Sequence, residues 1–365
     1  SIQFGFRELQ YCQAEGAPSD SLPYSILLNG RQIYIKGVNM VPLDLMYGRV
    51  TIAQAEHMIK LMRDAGINLV RVWGGGLIES EEFYDLCDRY GILVWQDFIQ
   101  SGSGLGNLPG SQPDFLKICR KTAEYAVRYR QHHPSLAFWC GGNELTAVYD
   151  KPCDITNPNL KMLSEIVQKY DGKTFFLPTT ASGPREFLNV DAPGSNYDVH
   201  GPWQYNGEVE HYTVFNHSDS ILHSEFGTPG MTNLSALKTV LSPERWKVSC
   251  GEEDIIWRYH AEWWDTLERD SHLFGPFAED ELEAFIACSQ FVQADALRYA
   301  LEANRRRAFA NVGSMVWQMN EPWPQLSGTN LVDYYGKPKA AYYAVKLAYR
   351  RAYPNLRYDK LLFAP

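Results

Sequence analysis

The chain has 365 residues, of which 45% are hydrophobic and 13% aromatic, and a formal net charge of −9. That length supplies the core of one large α/β domain or two smaller ones. The acidic balance argues against nucleic acid and against anionic membrane surfaces, and no run approaches the ~18 apolar residues of a membrane span.

Residues 1–30 hold two short alternating stretches, "SIQFGFRELQYCQ" and "YSILLNG". They read as the tail of a preceding β domain. The opening residues lack both a Met and a signal-peptide pattern, so the native start is expected upstream and localisation cannot be read from them. From residue 31 a rhythm sets in. "RQIYIKGVN" (31–39) predicts a strand, "TIAQAEHMIKLMRDAG" (51–66) an amphipathic helix closed by Gly66, and "INLVRVW" (67–73) a strand. "SEEFYDLCDRYG" (80–91) follows as a helix with Ser80 as N-cap, then "ILVWQDF" (92–98) as a strand and 114–132 as a helix. Further strands are expected at 135–140, 174–180, 196–201, 220–226 and 312–320, with helices at 159–172 and 337–352 and a partly helical stretch over 235–309.

The eight strands are mostly apolar throughout rather than alternating, as in parallel strands covered by helices. Eight units in this length predict an α/β fold, a closed (β/α)₈ TIM barrel. The competing fold, a doubly wound open sheet, calls for a Gly-rich first crossover, and "GVNMVPLDLMYG" is not one. Seven dispersed cysteines without C-x-x-C spacing point to free thiols, and neither H-x-H nor H-E-x-x-H occurs, so no metal or cofactor is expected. Ten Trp and 22 Tyr exceed what a core of this size needs, and carbohydrate clefts use such rings as flat platforms. The Gly-rich 101–110 reads as a rim loop, since no helix opens behind it.

In a barrel, polar residues at the C-terminal strand ends face the site. Here they are Asn39; Arg71 and Trp73; Asp97; Asn143 and Glu144; His200, with Trp203 beyond; Glu225; and Trp317 with Asn320. Glu144 and Glu225 end strands four and seven, on opposite sides of the barrel. Acetal hydrolysis needs such a pair, one to protonate the leaving oxygen and one to attack or support the cationic carbon. The competing reading is a structural carboxylate tied to Arg71. For the chemistry, Glu144 should be protonated, by desolvation or by its partner's charge, while Glu225 stays ionised beside Arg71. His200 is expected to hydrogen-bond a sugar hydroxyl.

The set "FGFR" (4–7), "LNGRQIYIKGVN" (28–39), "NLVRVWGGG" (68–76), "WCGGNE" (139–144), "HSEFG" (223–227) and "VWQMNEPWP" (316–324) resembles the catalytic barrel of glycoside hydrolase family 2. It is most similar to the branch containing the β-mannosidases. The resemblance implies Glu144 as general acid/base, Asn143 on the sugar 2-hydroxyl, Glu225 as nucleophile and Trp317 as platform floor. Arg71, Trp73, Asp97, His200, Trp203 and Asn39 complete the expected substrate-binding set. The implied activity is a retaining β-glycosidase acting on β-linked glycosides or oligosaccharides, β-mannosidase first. The alternatives are exo-β-glycosidases of the β-galactosidase or exo-β-glucosaminidase type, or a non-catalytic carbohydrate-binding barrel. The Asn-x-Lys that a β-glucuronidase shows after strand eight is missing from "SGTNLVDYYGKPKAA". The expected organisation is terminal strands of an Ig-like β-sandwich (1–30), the barrel (31–355), and the start of a linker to a further domain (356–365). The missing β domains belong to the same enzyme or to a partner chain.

Overall fold

The computed structural model describes residues 4–102, 106–261 and 264–361, so parts of the Gly-rich loop and of the expected linker lie outside the described residues. Eight parallel strands form one curled sheet. They are β4 (Ile35–Met40), β5 (Leu69–Val72), β6 (Leu93–Asp97), β7 (Leu136–Cys140), β10 (Phe175–Leu177), β11 (Asp198–His200), β12 (Leu222–Phe226) and β14 (Gly313–Val316). The spatial order is β10-β7-β6-β5-β4-β14-β12-β11. Segment 183–188 adds to the β11 edge: Gly183 bridges Asp198, the His200 N–H donates to the Glu186 carbonyl at 2.8 Å, and the Leu188 N–H donates to the His200 carbonyl at 3.0 Å. This is the TIM-barrel architecture. β5, β6, β7 and β12 are buried at every position, as expected of parallel strands covered on both faces.

The expected first strand is split. β1 (Leu9–Cys12), β2 (Ser25–Leu28) and β3 (Arg31–Ile33) form a separate antiparallel sheet, and only β4 enters the barrel. Asn29 and Gly30 turn the chain between β2 and β3 with φ of 51° and 73°, the left-handed pair of a tight hairpin. This small sheet covers the N-terminal end of the barrel. Tyr24 and Ile26 join Leu69, Trp95 and Phe138 in one core, and the Tyr11 hydroxyl donates to the Ala137 carbonyl at 2.5 Å. An Ig-like remnant is not what the structure displays, only three strands against the barrel floor.

The helices follow local signals. Thr51 and Gln54 make a reciprocal capping box on α1 (Ile52–Asp64), and Ser80 caps α2 (Glu81–Tyr90). α3 (Pro113–Arg130) precedes β7, and the hairpin β8 (Thr146–Val148)–β9 (Lys151–Pro152) leaves the barrel just after it. α4 (Pro158–Tyr170) leads to β10. α5 (Glu210–His217), eight residues between β11 and β12, was not anticipated. β13 (Gly230–Met231) then opens an excursion through α6 (Leu234–Val240), α7 (Ile255–Ala261) and α8 (Leu267–Phe274) to the long α9 (Leu282–Arg306). Its own core gathers Leu237, Trp257, Phe285 and Leu326. β15 (Ser327–Gly328) pairs with β13, and α10 (Ala340–Ala348) lies on α9 and is the last helix described. All seven cysteines are free.

Candidate active site

The C-terminal ends of the strands bring most of the expected residues together. Arg71, on β5, is the centre. It is fully buried, and all five of its N–H donors are engaged. Nε and Nη2 reach Asp97 on β6 (Nη2 to Oδ2 2.7 Å), Nη1 reaches Asn39 Oδ1 at 2.8 Å and Glu225 Oε2 at 2.9 Å, and Nη2 also reaches Asn143 Oδ1 at 2.7 Å. Burial works to neutralise the guanidinium, but Asp97 and Glu225 outweigh it and hold the charge firmly. Asn39 spends its amide on the Ser224 carbonyl at 3.0 Å, and Asp97 also accepts from Trp95 Nε1 and the Gly74 N–H, each at 3.0 Å. Asn39, Arg71 and Asp97 therefore form a buried layer beneath the mouth.

Glu144 stands four residues past β7 in a left-handed conformation, φ 50°, which costs a non-glycine residue of order 1 kcal/mol or more. Its N–H donates to the Thr180 carbonyl at 2.6 Å, while Asn143 is fixed by Gln100 and Gly102 on the other side. The preceding glycines allow this approach. A Cβ on Gly141 would stand 2.1 Å from the Pro178 carbonyl oxygen, and one on Gly142 2.6 Å from that of Gln100.

Glu225, 4% exposed, receives Arg71 on Oε2 and Trp203 Nε1 on Oε1 at 3.0 Å. His200 is fully buried between the two glutamates. Its Nδ1 lies 2.9 Å from Glu144 Oε1 and 3.9 Å from Glu225 Oε2, and one oxygen of each glutamate and a His200 nitrogen all fall within 4.8 Å of one another. Those three could in principle share a cation, but the Arg71 guanidinium already occupies the space beside Glu225. Behind His200 runs a buried chain: Nε2 to Thr180 Oγ1 at 3.0 Å, Thr180 to Ser224 Oγ at 3.0 Å, and Ser224 to Asp198. With both nitrogens so engaged, His200 has no donor left for a sugar hydroxyl.

The protonation pattern follows from that placement and differs from the sequence expectation. Burial would raise Glu144, but the hydrogen bond and charge of His200, with Arg71, pull it down. Burial pushes Glu225 up, with the Glu144 charge in the same direction and His200 and Arg71 opposing. Burial would depress His200, but the two carboxylates outweigh it and raise its pKa. Both directions favour a charged pair, Glu144 carboxylate with His200 imidazolium.

Trp73 and Trp317 are half-exposed at the ends of β5 and β14, edge to face with centroids 5.4 Å apart. Asn320 is turned away, donating to the Val41 and Pro42 carbonyls. Sequence reasoning missed Thr180, Asp198 and Ser224. The register slips by one residue between His223 and Phe226, so that adjacent Ser224 and Glu225 both reach the interior, which strict alternation forbids.

The chain is similar to known proteins. Residues 23–174 match the family described as glycosyl hydrolases family 2, TIM barrel domain. A Beta-mannosidase B of Aspergillus fumigatus is 30% identical over 369 residues, covering 94% of this chain, and that of Emericella nidulans is 29% identical over 371 residues, also covering 94%. The chain spans 42% of the length of each of these curated relatives. Among solved structures, a Beta-D-Mannosidase from Dictyoglomus thermophilum superposes with a TM-score of 0.79 at 24% identity, covering 95% of this chain and 42% of that one. An exo-chitosanase of Amycolatopsis orientalis gives 0.74 at 21%, covering 98% and 41%. These two structures bear on the fold.

Proposed function

This chain carries a TIM-barrel domain of glycoside hydrolase family 2, and from that premise we propose that it cleaves terminal β-linked sugars with retention of anomeric configuration, β-mannosides first. The carrying observation is the glutamate pair. One oxygen of Glu144 and one of Glu225 lie within 4.8 Å of each other, which is compatible with the roughly 5–5.5 Å carboxyl spacing of retaining enzymes. Glu225 attacks the anomeric carbon, oriented by Arg71 and Trp203. Glu144 gives its proton to the leaving oxygen, then takes one from the water that resolves the glycosyl-enzyme. Asn143, next to Glu144, meets the 2-hydroxyl, and Trp317 with Trp73 floors the sugar. The mannoside preference is supported by the curated relatives and is the finer part of the proposal. The reading of residues 1–30 and 356–365 as edges of neighbouring β domains belongs to it too, supported by the separate sheet β1–β3.

His200 links the two steps. The largest influence raising its pKa is the charge of Glu225. When Glu225 forms its ester that charge vanishes, and His200 releases its proton along the 2.9 Å bond to Glu144 as the leaving oxygen needs it. A pair that shares one proton always holds it to higher pH than its carboxyl alone beside a neutral partner. His200→Gln is therefore expected to move the alkaline limb of the kcat/KM profile to lower pH by roughly one unit. An unmoved limb with reduced rate would leave His200 a packing role.

The reaction itself is tested on chromogenic β-mannoside, β-glucoside, β-galactoside and β-glucosaminide, with the anomer of the first-formed sugar read by NMR. Release of the β-anomer supports the proposal, and release of the α-anomer overturns it. Preference for the glucosaminide over the mannoside would replace the sugar while keeping the chemistry.

A further inference from the structure

Apart from the two candidate catalytic glutamates, two histidines and a third glutamate converge on one point. α2 carries Glu81, Asp85 and Asp88 at helical spacing, and the turn between α3 and β7 sets His132 and His133 against it. His132 Nε2 lies 3.1 Å and His133 Nε2 3.2 Å from the same oxygen, Glu81 Oε1. The three atoms all fall within 4.8 Å of one another.

The surroundings hold these side chains in place. His133 is 2% exposed, its ring stacks on Tyr84 with centroids 5.0 Å apart, and its Nδ1 lies 2.7 Å from Asp88 Oδ2. The other Asp88 oxygen accepts the Ser135 N–H at 2.8 Å, which ties the turn to α2. Arg130 Nη1 donates to Glu81 Oε2 at 2.7 Å, and its Nε donates to the Glu79 carbonyl at 3.0 Å. Glu81 Oε1 is thereby the oxygen left facing the histidines.

A carboxylate on Nδ1 fixes the histidine tautomer: the ring hydrogen sits there, and Nε2 carries a lone pair. In His133 that lone pair faces a carboxylate oxygen, which is itself only an acceptor. The contact is unfavourable unless a positive centre lies between the two atoms. A second ring proton on His133 would serve that edge alone, whereas a divalent ion serves both. Ligand atoms around a tetrahedral zinc stand about 3.3 Å apart, since each is about 2.0–2.1 Å from the metal. The two edges here, 3.1 and 3.2 Å, are close to that. Asp88 behind a histidine and Arg130 behind the carboxylate are the outer contacts that orient metal ligands. Two imidazoles with one carboxylate suit zinc and its neighbours, while magnesium and calcium take oxygen. The exposed His132 leaves a path for entry.

We propose that Glu81, His132 and His133 bind one divalent transition-metal ion of the zinc class, and that the ion fastens the α3–β7 turn to α2. The site is structural and independent of the glycosidase reading. No local spacing reveals it, because adjacent histidines take their carboxylate from a helix that begins 52 residues before His133.

The test uses the full chain freed of metal by a chelator and titrated calorimetrically with Zn²⁺, with saturation expected at this site in the wild type. His132→Ala removes an exposed ligand without touching the core and is expected to weaken that binding by about tenfold or more. Glu81→Gln should act in the same direction. Co²⁺ should give the visible absorption of a nitrogen–oxygen site, without the thiolate band that binding at a cysteine would bring, and His132→Ala should abolish it. At a hundredfold excess over Kd, Zn²⁺ should raise the wild-type Tm by about 3 °C and that of His132→Ala by less. Equal affinity in wild type and His132→Ala, a thiolate band, an equal Tm rise in both proteins, or no binding by the wild type overturns the site.

Discussion

Glu225→Ala is expected to lower kcat by about 10⁴-fold or more while leaving the protein folded. The size follows from what is removed, the atom that would form the covalent bond to the anomeric carbon. Folding survives because Arg71 keeps Asp97 as counter-ion, their closest contact being 2.7 Å in a fully buried pair. Removing a carboxyl that burial already pushes up also takes away a desolvation cost. Azide should rescue turnover by attacking from the vacated face, giving the α-glycosyl azide, and a β-azide product would contradict the assignment. Glu144→Ala is expected to differ. It should spare the first step for dinitrophenyl glycosides, whose leaving group needs no proton, and so accumulate the intermediate. Mass spectrometry after trapping the wild type with a 2-fluoro glycoside gives the direct reading, and a label on any residue other than Glu225 would reject the mechanism.

Much of the barrel was legible because buried parallel strands must be apolar on both faces, and their order in the chain fixes which ends are polar. Reading those ends located Asn39, Arg71, Asp97, Asn143, Glu144, His200 and Glu225 without any contact being known. What could not be read were interactions between strands far apart in sequence. The link from His200 through Thr180 and Ser224 to Asp198 joins three such stretches and depends on a one-residue slip in β12 that leaves no periodic trace. It bears on the proposed chemistry, because both nitrogens of His200 are engaged, one by Thr180 and one by Glu144. Segment 183–188, which adds to the β11 edge and carries Glu186 and Phe187, has neither the alternation of a strand nor the spacing of a helix, so the sequence assigns it to no element. The split of the first strand is a different case. Asn29-Gly30 between two apolar runs is a strong hairpin signal, and the continuous pattern of 31–39 masked it.

Arg71→Met is expected to destabilise the fold by about 3–5 kcal/mol, well above the usual effect of a single substitution. The side chain it removes is the only guanidinium bonded to Asp97 or Glu225 among the described residues, and both carboxylates are buried. Methionine fills much of the volume but satisfies none of the five hydrogen bonds, so Asn39 and Asn143 lose a donor as well. The loss should depend on pH, and the sign can be worked out. Glu225 is already pushed above the usual carboxylate value, and without Arg71 its folded-state pKa rises further, so the folded variant binds more protons than the unfolded chain. Stability then falls as pH rises from the unfolded value towards the folded one, and mild acid partly rescues the variant. Urea denaturation at pH 5 and pH 8 measures this: the deficit relative to wild type should be larger at pH 8. Adding Glu225→Gln to Arg71→Met should recover part of the loss and flatten its pH dependence, because the neutral amide needs no counter-ion. A deficit below about 1 kcal/mol, or one equal at both pH values, would mean that the buried layer beneath the site does not depend on the Arg71 charge.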